Sequence, residues 1–247
     1  MSWHQGRLAA FDLETTGVDP ETDRIVTAAV SLVGGGEPTQ AWDWLVDPGV
    51  EIPAGATAVH GITTEQARAD AVAAAEAVEE ITALLADQIR RGIPVIAFNA
   101  RFDLTVLDRE ARRHGVRPLV DRVGGYDSLL VVDPHVIDKQ YDRFRKGKRT
   151  LGAVCEHYRV PLDDAHAANG DALAAARVAW RLGQVSAELR ELELRALHGH
   201  QVAWAAEQAA SFEEYLRSNG RLERIERAWP IVPQPAAPAP AIERVAA

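Results

Sequence analysis

The chain of 247 residues contains one cysteine, one methionine and three lysines. A lone cysteine, Cys155, excludes an internal disulfide and a multi-cysteine zinc site; it fits a reducing compartment, and a cytoplasmic protein is expected. No stretch approaches the roughly 20 apolar residues that cross a bilayer. Residues 1–7 hold no apolar run of the kind a secretory leader carries, so neither secretion nor membrane insertion is expected. Basic excess is missing as well: Lys plus Arg number 27 against 36 Asp plus Glu, a net charge of −9. That balance excludes a non-specific nucleic-acid coat, whose affinity comes from surplus cations. It does not exclude a metal-dependent phosphodiesterase, which must concentrate carboxylates in its cleft.

What remains is an ordinary globular composition, 47% hydrophobic and 26% charged with a mean hydropathy of −0.16, long enough for one core with an appendage. Residues 8–15 (LAAFDLET), 25–33 (IVTAAVSLV) and 39–46 (TQAWDWLV) read as a three-stranded meander. Thr63 and Thr64 cap one long alanine-rich helix reaching about Arg91, with Ala71, Val78, Ile81, Leu84, Leu85 and Ile89 on its apolar side. The uninterrupted run at residues 93–98 (IPVIAF) suits a central strand, after which Asn99 caps a helix to about His114. A fifth strand near residues 125–132, a helix over 150–158 and another from Asn169 complete an α/β fold: a mixed five-stranded sheet flanked by helices. Residues 185–220 read as helical throughout, a C-terminal extension with Val202, Ala209, Phe212 and Leu216 as buried candidates. The domain boundaries follow: 1–184 for the core domain, 185–228 for the extension, and a Pro/Ala-rich tail from 229 to 247 expected to be disordered.

Asp12 and Glu14 lie two apart on the first strand and therefore leave the same face of the sheet. Adjacent carboxylates raise each other's pKa unless a cation neutralises them, and hard oxygen donors suit magnesium or manganese. Asp-x-Glu alone usually marks a solvated face. Asp103, however, falls in the first helical turn after the buried strand, at its carboxyl end, where ligand sites collect. A helix-dipole acid is the bland reading of that residue. Asp171 occupies the first turn of a later helix, while His166, five positions earlier, belongs to the preceding loop.

FDLETTG at residues 11–17, VIAFNARFD at 95–103 and HAANGDA at 166–172 together resemble the three motifs of the DEDDh, DnaQ-like 3′→5′ exonuclease family, which includes the epsilon proofreading subunit of bacterial replicative polymerases. The similarity spans residues 7–184, and TAVHGIT at 57–63 is similar to the family's loop after the third strand. The resemblance implies a ribonuclease H-like fold and two Mg²⁺ or Mn²⁺ ions. In it Asp12 bridges both ions, Glu14 and Asp171 hold the nucleophile-side ion, Asp103 supports the second through water, and His166 is the general base. Thr15, Thr16, Gly17, His60 and Asn99 are candidate substrate contacts, His60 having a second reading as a local backbone cap. His4, His114, His135, His157, His198 and His200 have no carboxylate partner at metal-site spacing and read as structural. Ala167, Asn169 and Gly170 depart from the more acidic or helix-forming residues of relatives, which bears on where the last helix starts.

All three lysines, Lys139, Lys146 and Lys148, fall with Arg143, Arg145 and Arg149 in one basic segment, either a solvated loop or a track for upstream phosphates with Lys146 and Lys148 as contacts. The expected function is removal of nucleoside 5′-monophosphates from single-stranded 3′ ends, DNA favoured over RNA, in proofreading or repair. Two alternatives stand beside it: an exonuclease of RNA or oligoribonucleotides, and a non-catalytic interaction subunit docked on a polymerase through its C-terminal helices. A DNA polymerase subunit is one partner the resemblance admits, although no sliding-clamp peptide follows the core; oligomeric state stays open.

Overall fold

The computed structural model describes residues 2–163 and 166–234. Its centre is a six-stranded mixed sheet of β1 (Arg7–Thr15), β2 (Ile25–Gly34), β3 (Gln40–Asp47), β4 (Val72–Ala73), β5 (Val95–Ile96) and β6 (Val131–Val132), in the order β4-β3-β2-β1-β5-β6. β1, β2 and β3 form the antiparallel meander, and β5 and β6 continue the sheet parallel to β1. The carboxyl ends of β1, β5 and β6 therefore share one edge.

The sheet departs from the expected five strands at β4. The single long helix expected to reach Arg91 is broken into α2 (Thr64–Asp70) and α3 (Ala74–Arg90), and between them Val72 and Ala73 pair with Val46 and Asp47. No proline or glycine marks the break; edge pairing outweighs the helix propensity of an alanine-rich segment. Thr63 closes a capping box with Gln66, while Ala71 ends up extended and only partly buried. A short helix, α1 (Ala54–His60), occupies most of TAVHGIT. The expected strand near 125–132 contracts to two residues because Gly124 and Gly125, at φ 93° and 119°, lead into a 3-10 turn at Tyr126–Ser128.

One face of the sheet packs Phe11, Leu13 and Val30 against α3 and α4 (Ala100–Arg113), with α5 (Leu119–Val123) outside them. The other face packs Leu8, Ile96 and Val132 against α7 (Leu151–Tyr158) and α8 (Ala168–Val185), joined by Ile137 of α6 (Pro134–Tyr141). The C-terminal extension is α9 (Ala187–Glu191) and α10 (Leu194–Ser218), interrupted at Leu192 and Glu193. α10 closes the β6 edge with side chains. Val131 N–H donates to His198 Nδ1 at 3.1 Å, Gln201 Nε2 donates to the Val131 carbonyl at 3.0 Å, and Asp133 N–H donates to Gln201 Oε1 at 2.7 Å. Edge groups left unpaired would template aggregation, so these buried polar residues do the work of another strand.

Two expectations for the C-terminus fail. Val202 and Phe212 are exposed, because the buried stripe of α10 runs through Leu197, Gln201, Ala205, Ala209 and Leu216. Residues 229–234 are ordered against the core: Trp229 and Ile231 are buried, and Val232 N–H donates to Thr105 Oγ1 at 3.0 Å. Residues 235–247 of the expected tail lie outside the described residues.

Candidate active site

Asp12 and Glu14 leave β1 on the side that α8 covers. Opposite them in register on β2 stand Ala29 and Thr27, small enough to leave space above the strand. α8 approaches closely because its sheet-facing side is alanine; Ala10 of β1 packs directly with Ala172 and Ala176. That approach brings Asp171, in the first turn of α8, to the strand pair. Asp12, Glu14 and Asp171 each offer an oxygen within 4.8 Å of the other two. Asp171 begins α8 as expected, but the residue before the helix is Ala167, and Asn169 points elsewhere, accepting from Ser31 Oγ at 3.0 Å.

Asp103 arrives from the other side of the sheet edge. β5 stops at Ile96, paired with Ala10, so β1 runs on beyond its neighbour. Leu13 N–H then donates to Asp103 Oδ1 at 3.2 Å, which ties the first turn of α4 to the strand between the two acids. Asp103 is buried and stands beside the three-carboxylate cluster without joining it.

Four acids in this space cannot all be charged cheaply. Burial, then the charges of Asp103, Glu14 and Asp171, push Asp12 well above the usual carboxylate range. Burial and Asp171 raise Glu14 to about 7. Asp103 is raised chiefly by burial, against the lowering effect of its backbone hydrogen bonds, and Asp171 is raised by burial although His166 opposes it. Asp171 Oδ1 is buried with no hydrogen-bond partner among the described residues. An orphaned carboxylate oxygen beside two further acids is a donor set of hard oxygens that fits a divalent cation.

His166 sits outside the helix in a left-handed conformation at φ 67°, exposed, with its N–H 3.4 Å from Asp171 Oδ2. It shares with Glu14, His60, Trp44 and Asn169 the lining of a cavity of about 340 Å³. His60 is held as a local cap. Its Nδ1 accepts from Ile62 N–H at 3.1 Å, while its buried Nε2 has no hydrogen-bond partner among the described residues, and burial lowers its pKa against the raising effect of the Thr15 backbone.

Thr15, Thr16 and Gly17 close β1 in a loop satisfied internally. Thr15 Oγ1 donates to the Gly17 carbonyl at 2.6 Å and Thr16 Oγ1 to Asp23 Oδ1 at 2.8 Å. A Cβ on Gly17 would lie 2.5 Å from the Asp23 carboxylate, so a larger residue there would displace the acid that accepts from Thr16. Asn99, in the left-handed conformation before α4, makes no side-chain cap. Asp133 does this instead: its carboxylate accepts from Asn99 N–H at 2.9 Å and Ala100 N–H at 3.0 Å. Lys146 and Lys148 are exposed, whereas Arg145 and Arg149 both pair with the buried Asp138 and hold the loop down.

Asp133 is the residue that sequence reasoning missed. It caps both α4 and α6, accepts from Trp229 Nε1 at 3.3 Å, and adds its charge to those raising Asp103. The available signal was Asp133-Pro134 directly after an apolar run, a helix-start pattern at the carboxyl end of a strand.

The chain is 35% identical over 181 residues to a DNA polymerase III subunit epsilon-like protein of Rhodobacter capsulatus, covering 70% of this chain and 23% of that protein. It is 24% identical over 198 residues to a PolC-type DNA polymerase III of Streptococcus agalactiae, covering 78% of this chain and 12% of the relative. This chain thus spans less than a quarter of the length of either relative. Among solved structures, E. coli exonuclease I bound to a dT13 oligonucleotide is similar with a TM-score of 0.59 at 20% identity, over 71% of this chain and 40% of that one. The dA16 complex of the same protein gives 0.62 at 20% identity, over 76% and 42%. At that identity the likeness speaks to fold. The RNase_T family model, described as Exonuclease, matches residues 9–179, a stretch that includes Asp12, Glu14, Asp103, His166 and Asp171. The chain belongs to that exonuclease family, as a DnaQ-like domain of the DEDDh group.

Proposed function

We propose that the protein is a divalent-metal-dependent 3′→5′ exonuclease releasing nucleoside 5′-monophosphates from single-stranded DNA ends. The observation that carries this is the convergence of Asp12, Glu14 and Asp171 within 4.8 Å, with Asp103 tied to the same strand and His166 at the rim. Asp12, Glu14, Asp171 and Asp103 would hold two Mg²⁺ or Mn²⁺ ions, Glu14 and Asp171 serving the side of the attacking water and Asp103 the side of the leaving oxygen. Such cations supply positive charge at the scissile phosphate and acidify a water.

The chain's own groups do the rest. His166 accepts the proton of the attacking water, a task suited to an imidazole nitrogen at the rim of the site. The water oxygen bonds to phosphorus as the bond to the 3′ oxygen of the preceding nucleotide breaks, and no covalent enzyme intermediate is required. His60 and the backbone of Thr15, Thr16, Gly17 and Asn99 hold the terminal nucleotide. Lys146 and Lys148, whose neighbours Arg145 and Arg149 are occupied by Asp138, meet upstream phosphates. DNA as substrate is supported by the DNA polymerase III relatives and by the oligonucleotides bound to exonuclease I. A place beside a polymerase and a cytoplasmic location belong to the same reading.

The test uses 5′-labelled single-stranded DNA, duplex DNA and RNA of equal length with Mg²⁺, Mn²⁺ or EDTA. A ladder shortening from the 3′ end of single-stranded DNA, abolished by EDTA, is the expected result. Shortening of RNA in preference to DNA would replace the substrate assignment, and no shortening of any strand would refute the activity.

A further inference from the structure

Beyond β6 the carboxyl edge of the sheet opens into a cleft between α6 and α10. Two adjoining cavities, about 420 Å³ and about 90 Å³, have Lys139, Gln208 and Phe212 as common walls. The smaller reaches Asn99 and Asp133, at the ends of β5 and β6, the same edge on which Asp12 and Glu14 close β1. The larger continues outward past Arg143, Phe144 and Tyr215.

Three aromatic rings in this cleft are left in water: Phe144 at 90% exposure, Tyr215 at 61% and Phe212 at 50%. Phe212 and Tyr215, one turn apart on α10, hold their rings nearly parallel, 14° between planes and 6.3 Å between centroids. Contiguous exposed apolar surface marks a binding face more often than it marks chance. The same walls carry Lys139 and Arg143, which have no carboxylate partner among the described residues in a chain of net charge −9. Lys139 is half-buried, and burial lowers its pKa while the charges of Asp133 and Asp138 act the other way. One carboxylate, Glu207, opposes them in the larger cavity.

Flat apolar faces interleaved with unpaired cations complement a ligand that alternates planar rings with anions, which is the chemistry of a single nucleic-acid strand. We propose that this cleft carries the upstream nucleotides of the strand whose 3′ end lies at the carboxylates. Bases stack on Phe144, Phe212 and Tyr215, and Lys139 and Arg143 neutralise phosphates. This rests on the exonuclease reading of the site and extends it to the C-terminal helix.

The experiment compares kcat/KM on a twenty-residue oligothymidylate with that on thymidine 5′-monophosphate p-nitrophenyl ester, which has no upstream nucleotides. In Phe212→Ala with Tyr215→Ala the ratio of the two should fall by about tenfold or more. Arg143→Ala should flatten the logarithmic salt dependence on the oligomer by about 0.7, and Glu207→Gln should raise kcat/KM on it. If melting followed by circular dichroism shows the double variant unfolded, Phe144→Ala, on an exposed loop, carries the same test. A ratio unchanged in both aromatic variants overturns the cleft assignment while leaving the exonuclease intact. A wild-type protein inactive on both substrates overturns the exonuclease reading itself.

Discussion

Replacing Asp12 with asparagine separates the chemical use of the carboxylate cluster from its cost to the fold. The oxygens of Asp12, Glu14 and Asp171 lie within 4.8 Å of one another. At an effective dielectric of about 20, two unit charges at that spacing repel by roughly 3.5 kcal/mol. Proton uptake relieves much of this, since Asp12 is raised well above its ordinary value. The net gain on neutralising it without metal is therefore nearer 1–2 kcal/mol, which for a chain of this size raises Tm by about 2–8 °C. With saturating Mn²⁺ the order should invert, because a cation at about 100 Kd stabilises the wild type by roughly 2.7 kcal/mol and binds the variant less well. Nuclease kcat/KM should fall by about 10³ or more, some 4 kcal/mol of transition-state stabilisation. The assay is thermal unfolding at pH 8 in EDTA and across a Mn²⁺ titration, alongside release of labelled mononucleotide. A variant less stable than wild type in EDTA, or one retaining activity within about tenfold, would refute the reasoning.

His166→Ala should lower kcat by about 10²–10⁴ while leaving the Mn²⁺-induced Tm shift in place; loss of that shift would make His166 a ligand. Glu14 titrates near 7 in the fold against 4.5 as its ordinary value, so the folded state holds the extra proton between those limits. Its contribution is complete below about pH 4.5 and is lost as pH rises through 7. Metal-free stability should accordingly decline over that window, and a flat profile in EDTA would contradict the burial of the cluster. Lys146→Ala with Lys148→Ala should raise KM for long single strands and reduce its salt dependence, with kcat on the p-nitrophenyl ester as reference; equal losses on both substrates would mean that the loop shapes the active site. Trp229→Ala should destabilise by about 3–5 kcal/mol, read as a shift in urea midpoint, and an unshifted midpoint would show that residues 229–234 do not hold the core.

The site was legible because its signals are short-range. Two acids at period 2 on an apolar strand must share a face, and Asp103 and Asp171 each fall in the first turn of a helix, although neither the Asn99 nor the Asn169 side chain caps it. The meander was legible for the same reason, since β2 and β3 pair with sequence neighbours. The break between α2 and α3 was not, because Val72 leaves the helix for a partner, Val46, that no local propensity records. α10 misled in another way. Phe212 is apolar and sits at helical spacing from Ala209 and Leu216, yet Glu213 takes the inner position, where it accepts from Ile225 N–H at 3.3 Å and pairs with Arg227 at 3.7 Å.

That exchange of a phenylalanine for a glutamate explains why the end of the chain was hardest to read. Proline and alanine dominate residues 229–247 taken together, and that bias hides the apolar Trp229, Ile231 and Val232 at the start of the tail. They are ordered because each anchor lies elsewhere in the sequence: Glu213 before the segment, Thr105 at Val232, and Asp133 at Trp229. Asp133 is the junction of this arrangement, for the carboxylate that receives the Trp229 indole also caps the helix bearing Asp103. The C-terminal segment and the active-site helix therefore share one buried acid. A change at Trp229 should reach Asp103 through that acid, so Trp229→Phe, which keeps the ring and removes the N–H, isolates the link. It should cost little stability relative to Trp229→Ala. If the link holds, it lowers nuclease kcat more than it shifts the urea midpoint; if kcat falls only in proportion to stability, Trp229 is a packing residue and the shared acid transmits nothing.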